Sequence, residues 1–121
     1  MGTGERISEA EGQALVALAR QAIGERLGQL VAPADQALLA EPALQRQHGT
    51  FVTLKIHGEL RGCIGSLIGT TSIVEGVREN AINAAFGDPR FPPLSASEFD
   101  AVAIEVSVLT EPQTLDYSDA A

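Results

Sequence analysis

The sequence predicts a single α+β domain, and three observations carry that prediction. Two stretches, near 8–27 and 72–87, open with helix-capping residues and continue with apolar residues at helical spacing. Residues 51–64 hold two short alternating runs on either side of His57-Gly58-Glu59, the pattern of an antiparallel hairpin. Residues 101–109 alternate strictly, with Val102, Ile104, Val106 and Val108 in phase. A chain of 121 residues holds one core and not two. Hydrophobic residues make up 45% of it, with four Phe, one Tyr and no Trp, so that core must be aliphatic.

The elements follow in order. Residues 1–7 are expected to be a flexible tail, 8–117 the folded domain and 118–121 a second tail. Ser8-Glu9-Ala10-Glu11 has capping-box spacing and opens a helix to about Leu27, with Leu15, Leu18, Ala19, Ala22 and Ile23 on one face. Gly28 is its natural stop. Pro33 and Pro42 bracket a loop with one helical turn near Asp35 to Leu39.

In the hairpin, Val52, Leu54 and Ile56 alternate in the first strand and Leu60, Gly62 and Ile64 in the second. A two-residue loop at Gly58-Glu59 would set Ile56 opposite Arg61. An odd loop sets Ile56 opposite Leu60 and keeps Val52, Leu54, Ile56, Leu60 and Ile64 on one face, so burial selects the odd loop. Thr53, Lys55, Arg61 and Cys63 then share the other face. Ser72 to Glu75 reads as a second capping box, opening a helix with Val74, Val77, Ala81, Ala84 and Ala85 on one side and ending at Gly87. Asp88-Pro89-Arg90-Phe91-Pro92-Pro93 is a stiff elbow, because proline fixes φ and disfavours helix in the residue before it. A brief turn at 95–99 precedes the strand of 101–109, which Glu111-Pro112 ends. Three strands are near the minimum for a stable sheet, so an open edge and a homodimer are expected.

Charge and composition narrow the function. The net charge is −8, and after Arg90 the chain carries Glu98, Asp100, Glu105, Glu111, Asp116 and Asp119 with no Lys or Arg. That third of the molecule repels nucleic acid and anionic membrane. No apolar stretch reaches the length of a membrane span, and the first residues lack the order of a signal peptide. A single cysteine forms no internal disulfide and fits a reducing compartment, so the cytoplasm is expected.

Cys63 is the nucleophile with a suggestive setting, since Arg61 lies two residues away on the expected face and favours a thiolate. The alternative is a small residue filling the sheet. Arg61 and Lys55 suit an anion, with Gly62 and Gly65 leaving the backbone open to a ligand. Glu105, a charge in an apolar strand, is a partner for Arg61, a general base, or an outward-facing residue. Asp88 and Arg90 either contact a ligand or form a salt-bridged elbow. The segment 65–72, leading into a helix N-terminus, invites phosphate with Arg61 nearby but lacks a phosphate-loop pattern. His48 and His57 have no metal-ligand spacing with each other or with Cys63, so no metal is expected and no cofactor is assigned.

Four runs together resemble the AMMECR domain family, protein A of the AmmeMemoRadiSam system: Phe51-Val52-Thr53-Leu54; Leu60-Arg61-Gly62-Cys63-Ile64-Gly65-Ser66-Leu67; Asp88-Pro89-Arg90-Phe91-Pro92-Pro93-Leu94; and Glu105-Val106-Ser107-Val108-Leu109. The resemblance implies an antiparallel β-sheet flanked by helices. It implies partnership with a Memo-like protein and a radical S-adenosylmethionine protein. It supplies no settled activity, and it places Arg61, Cys63, Asp88, Arg90 and Glu105 at motif positions. Family members continue some tens of residues beyond the position of Tyr117, so 8–117 is expected to be the N-terminal and central part of such a domain. An enzyme component acting through Cys63, Arg61 and Glu105, with Lys55, Asp88 and Arg90 binding substrate, is one expectation. A non-catalytic adaptor for small molecules or those partners is the other.

Overall fold

The computed structural model describes residues 6–110 and 113–119. Ser8 opens helix α1 (Glu9–Arg26) through a complete capping box: its Oγ accepts from the Glu11 N–H, and its own N–H donates to the Glu11 carboxylate at 2.8 Å. The helix stops at Leu27, with Gly28 following at φ 71°. Asp35 caps the single turn α2 (Gln36–Leu39), and a 3-10 turn at Pro42–Gln45 leads into the sheet.

The sheet is antiparallel and four-stranded. It is built from β1 (Gly49–Ile56), β2 (Glu59–Ser66), β3 (Val102–Leu109) and β4 (Thr114–Ser118), in the order β2-β1-β3-β4. Between β2 and β3 the chain forms α3 (Ile73–Phe86) and the short α4 (Ala96–Phe99). Helix α3 packs on β1 and β2, and α1 packs on α3, β3 and β4. Val52, Leu54, Ile104, Val106 and Val108 are sealed beneath them, with Leu15, Ile23, Ile73 and Val77 meeting them from the helices. The α+β architecture with helices on an antiparallel sheet is therefore as expected.

Three local expectations change. The hairpin turns on two residues, His57 and Gly58, both at positive φ (53° and 82°), so Ile56 faces Glu59 and Lys55 faces Leu60. A bulge then absorbs Arg61 and restores phase, with Leu54 opposite Gly62 and Val52 opposite Ile64. Leu60 pays no part in the core and is exposed. Secondly, Ser72 caps α3, but Glu75 pairs with Arg78 at 2.9 Å, so only the Ser72 half of the second capping box is described. Thirdly, β4 is a fourth strand that the pattern of 101–109 did not announce; the expected stop at Glu111-Pro112 lies outside the described residues.

The domain also reaches into both expected tails. Ile7 is buried, and its carbonyl accepts from the Tyr117 hydroxyl. Asp119 accepts from the Ile104 N–H at 2.7 Å and pairs with Arg20 at 2.9 Å, which ties the end of β4 to α1. Residues 1–5 lie outside the described residues.

Candidate functional site

As an edge strand, β2 turns alternate backbone groups away from β1, and those of Cys63 point outward. The elbow after α3 meets them. Cys63 N–H donates to Asp88 Oδ2 at 3.0 Å, and the Cys63 carbonyl accepts from Arg90 Nη2 at 3.3 Å. Asp88 and Arg90 are locked to one another: Arg90 N and Nε each donate to Asp88 Oδ1 at 3.0 Å, and Nη2 donates to Oδ2 at 2.7 Å. The Asp88 carboxylate is buried. The Arg90 guanidinium, the Arg90 N–H and the Cys63 N–H hold it far below the usual carboxylate range against the opposing effect of burial. Arg90 is raised in turn, chiefly by its bonds to Asp88. The salt-bridged reading of this elbow is thus realised, with an added role: it grips the backbone of the cysteine.

The thiol lies on the sheet face away from the helices. Cys63 is half-buried, and its Sγ is 3.3 Å from the Thr53 hydroxyl on β1. Cys63, Thr53, Glu105 and Ser118 form one cross-strand row over β2, β1, β3 and β4. Glu105 is two strand spacings from Cys63, about 10 Å. Its carboxylate pairs with Lys55 at 3.2 Å, so the expected Arg61–Glu105 pairing is not formed. An open cleft of about 310 Å³ lies beside it, lined by Glu105, Asp116, Tyr117 and Ser118.

Arg61 is drawn elsewhere by the bulge. It is only 9% exposed. Its Nε and Nη2 clamp Glu98 at 2.9 and 3.0 Å, and Nη2 also donates to the Pro92 carbonyl at 2.9 Å. Glu98 belongs to the capping box of α4 with Ser95, so a helix cap and an ion pair share one carboxylate. The Arg61 bonds, then the Ser95 N–H, lower the Glu98 pKa from 4.5 to about 2. Arg61 Nη1 is buried with no acceptor. The guanidinium expected to assist the thiol is therefore committed to Glu98, and Arg90 is the one that bonds to Cys63, through its carbonyl.

The glycines of the motif serve packing. A Cβ at Gly62 would strike the Ala84 carbonyl of α3, and one at Gly65 would strike the Phe51 ring. The expectation that they leave backbone open to a ligand is corrected accordingly. The phosphate reading of 65–72 also loses its donors at the helix start: Ile73 N–H donates to the Arg46 carbonyl, Glu75 N–H donates to Ser72 Oγ, and the Nε and Nη2 of Arg61 are turned to Glu98. Among the described residues no group of three or more His, Cys, Asp or Glu is placed to hold a metal. No described helix is long and apolar enough to cross a membrane.

The structure thus brings Cys63, Asp88 and Arg90 together, holds Lys55 of β1 with Glu105 of β3, and sets Arg61 apart with Glu98. Three residues in this neighbourhood escaped sequence reasoning as site residues. Thr53 was placed on the right face without a role. Glu98 carried a capping-box signal alone. Phe91 was visible only as part of the elbow, yet its ring lies 5.7 Å from the Arg61 guanidinium carbon and 5.5 Å from that of Arg90.

Comparison with known proteins places these residues in a family. A family model described as AMMECR1 matches residues 16–120. A protein of Methanothermobacter thermautotrophicus is 42% identical over 95% of this chain and 59% of its own length. Protein MK0488 of Methanopyrus kandleri is 44% identical over 93% of this chain and 55% of its own. The crystal structure of uncharacterized protein PH0010 from Pyrococcus horikoshii superposes with a TM-score of 0.73 at 40% identity, covering 88% of this chain and 55% of that one. The chain therefore spans a little over half the length of the relatives it matches.

Proposed function

The chain belongs to the AMMECR1 family, and on that premise we propose that it is an enzyme component whose working group is the Cys63 thiol, acting in a modification pathway with Memo-like and radical S-adenosylmethionine partners. The observation that carries the thiol reading is the way Cys63 is held. Its backbone N–H and carbonyl are fixed by the Asp88–Arg90 pair, while the half-buried residue sets its Sγ beside the Thr53 hydroxyl on the sheet face away from the helices. The Asp88–Arg90 pair satisfies the outward backbone groups of this edge strand and in doing so fixes where the thiol stands. The partners rest on the family resemblance.

Cys63 is the only cysteine, so alkylation reports on it alone. With iodoacetamide, sulfur forms a bond to carbon, iodide leaves and the thiol proton passes to solvent. The native chain is expected to react without denaturant. Reaction seen only after denaturation would remove the thiol from the mechanism.

The adaptor reading has its own support. The described contact of Sγ is the Thr53 hydroxyl, and no His or carboxylate bonds it among the described residues, so a general base is not in place. Capture of the Memo-like or the radical S-adenosylmethionine protein by a chain whose thiol proves inert would favour that reading. Capture of neither, with or without S-adenosylmethionine, would leave the thiol reading without its pathway.

A further inference from the structure

We propose that Arg61 and Arg90 together form a binding site for an oxyanion, a carboxylate or phosphate group, at the Phe91 ring. The two guanidiniums are used in the same way. Each gives its Nε and Nη2 edge to its own carboxylate, Glu98 for Arg61 and Asp88 for Arg90. Each also spends Nη2 on one carbonyl, that of Pro92 or of Cys63. Among the described residues neither Nη1 has a hydrogen-bond partner. In Arg61 that nitrogen is buried without an acceptor, a costly state for a charged donor. Both guanidinium carbons lie within cation–π range of the one half-buried Phe91 ring, at 5.7 Å for Arg61 and 5.5 Å for Arg90, so that one side chain borders both cations. A ligand oxygen pair satisfies both nitrogens once that ring swings aside. Glu98 and Asp88 balance the two charges, so recognition rests on directed hydrogen bonds more than on field.

The proposal deepens the reading of the Cys63 cluster as a working site, and depends on it only for the ligand being a substrate. It concerns different atoms from the thiol: alkylation reports on Cys63, and the titration below reports on the guanidiniums, so either idea fails alone. Sodium phosphate and sodium acetate are added in separate series to the chain labelled for NMR of arginine Nε–Hε groups. Sodium chloride at matched ionic strength is the control. Saturable movement of both the Arg61 and Arg90 signals, with the Phe91 ring signals, is expected in at least one series, and the series that responds names the ligand's chemistry. Arg90→Lys keeps the charge but loses the planar Nη1 donor, and is expected to weaken binding roughly tenfold or more. No movement beyond the chloride control, movement of Arg90 alone, or unchanged affinity in Arg90→Lys would each overturn the paired site.

Discussion

At Arg61 one carboxylate neutralises a buried guanidinium, and the molecule's response to acid should pass through that contact. Glu98 has a pKa lowered from 4.5 to about 2 by its bonds to Arg61 and Ser95. A carboxylate depressed on folding contributes stability that is fully present above its unfolded pKa and is lost as pH falls through the folded one. Its contribution therefore fades between 4.5 and about 2. Glu98→Ala strips the partner from Arg61 and is expected to lower unfolding stability by about 2–3 kcal/mol near neutrality, less than for a fully buried pair because Glu98 is partly exposed. Urea unfolding of the two proteins should give a gap that narrows at about pH 3. A gap independent of pH would mean that the packing of α4, not the charge, sustains Arg61. Little of this was legible in the sequence. Asp88 and Arg90 are two residues apart on either side of Pro89, and their pairing could be read. The hold on Cys63 spans 25 residues and the Arg61–Glu98 pair spans 37, distances at which a single sequence gives no sign of contact.

Between β1 and β2, turn chemistry decided what burial was expected to decide. The expectation of an odd loop assumed that Leu60 must join Ile56 on the core face. His57 and Gly58 at positive φ make a tight two-residue turn instead, and the bulge at Arg61 recovers the core phase at Gly62 and Ile64. Leu60 is left exposed, and Arg61 is freed to reach Glu98. The capping signals of α1 and α4 were readable because they are local, and both boxes form in full. Strand β4 was not readable: in five residues only Leu115 and Tyr117 alternate. Its place is set by distant contacts, the Tyr117 ring lying where Gly12 of α1 has no side chain. The bulge also places Gly62 against α3, where the Ala84 carbonyl leaves no room for a Cβ. Gly62→Ala is expected to cost about 1–3 kcal/mol, because backbone rather than a flexible side chain must give way. Thermal and urea denaturation check it. A neutral result would show that α3 can lift from β2 without penalty.

For the whole molecule the question is which sheet edge remains open. On β2 the outward groups of Cys63 are taken by Asp88 and Arg90, which stand where a neighbouring strand would donate and accept. Among the described residues that leaves β4, the opposite edge, five residues long and held to α1 by Tyr117 and by the Gln13 side chain on the Ser118 carbonyl. We propose that the homodimer expected from an open edge pairs β4 with its copy about a two-fold axis. In the symmetric register centred on Asp116, two exposed carboxylates face each other, and like charges directly opposite weaken a strand pair. The net charge of −8 adds repulsion between whole chains. Association through β4 should therefore be weak, strengthened by salt, and tightened by Asp116→Asn. Light scattering over a concentration series, at low and high ionic strength, measures this directly. A mass that stays monomeric throughout, in both the native chain and Asp116→Asn, would show that β4 closes the sheet unaided. A dimer that forms in the native chain but is indifferent to salt and to Asp116 would place the interface on another surface, since the charge argument belongs to the β4 edge alone.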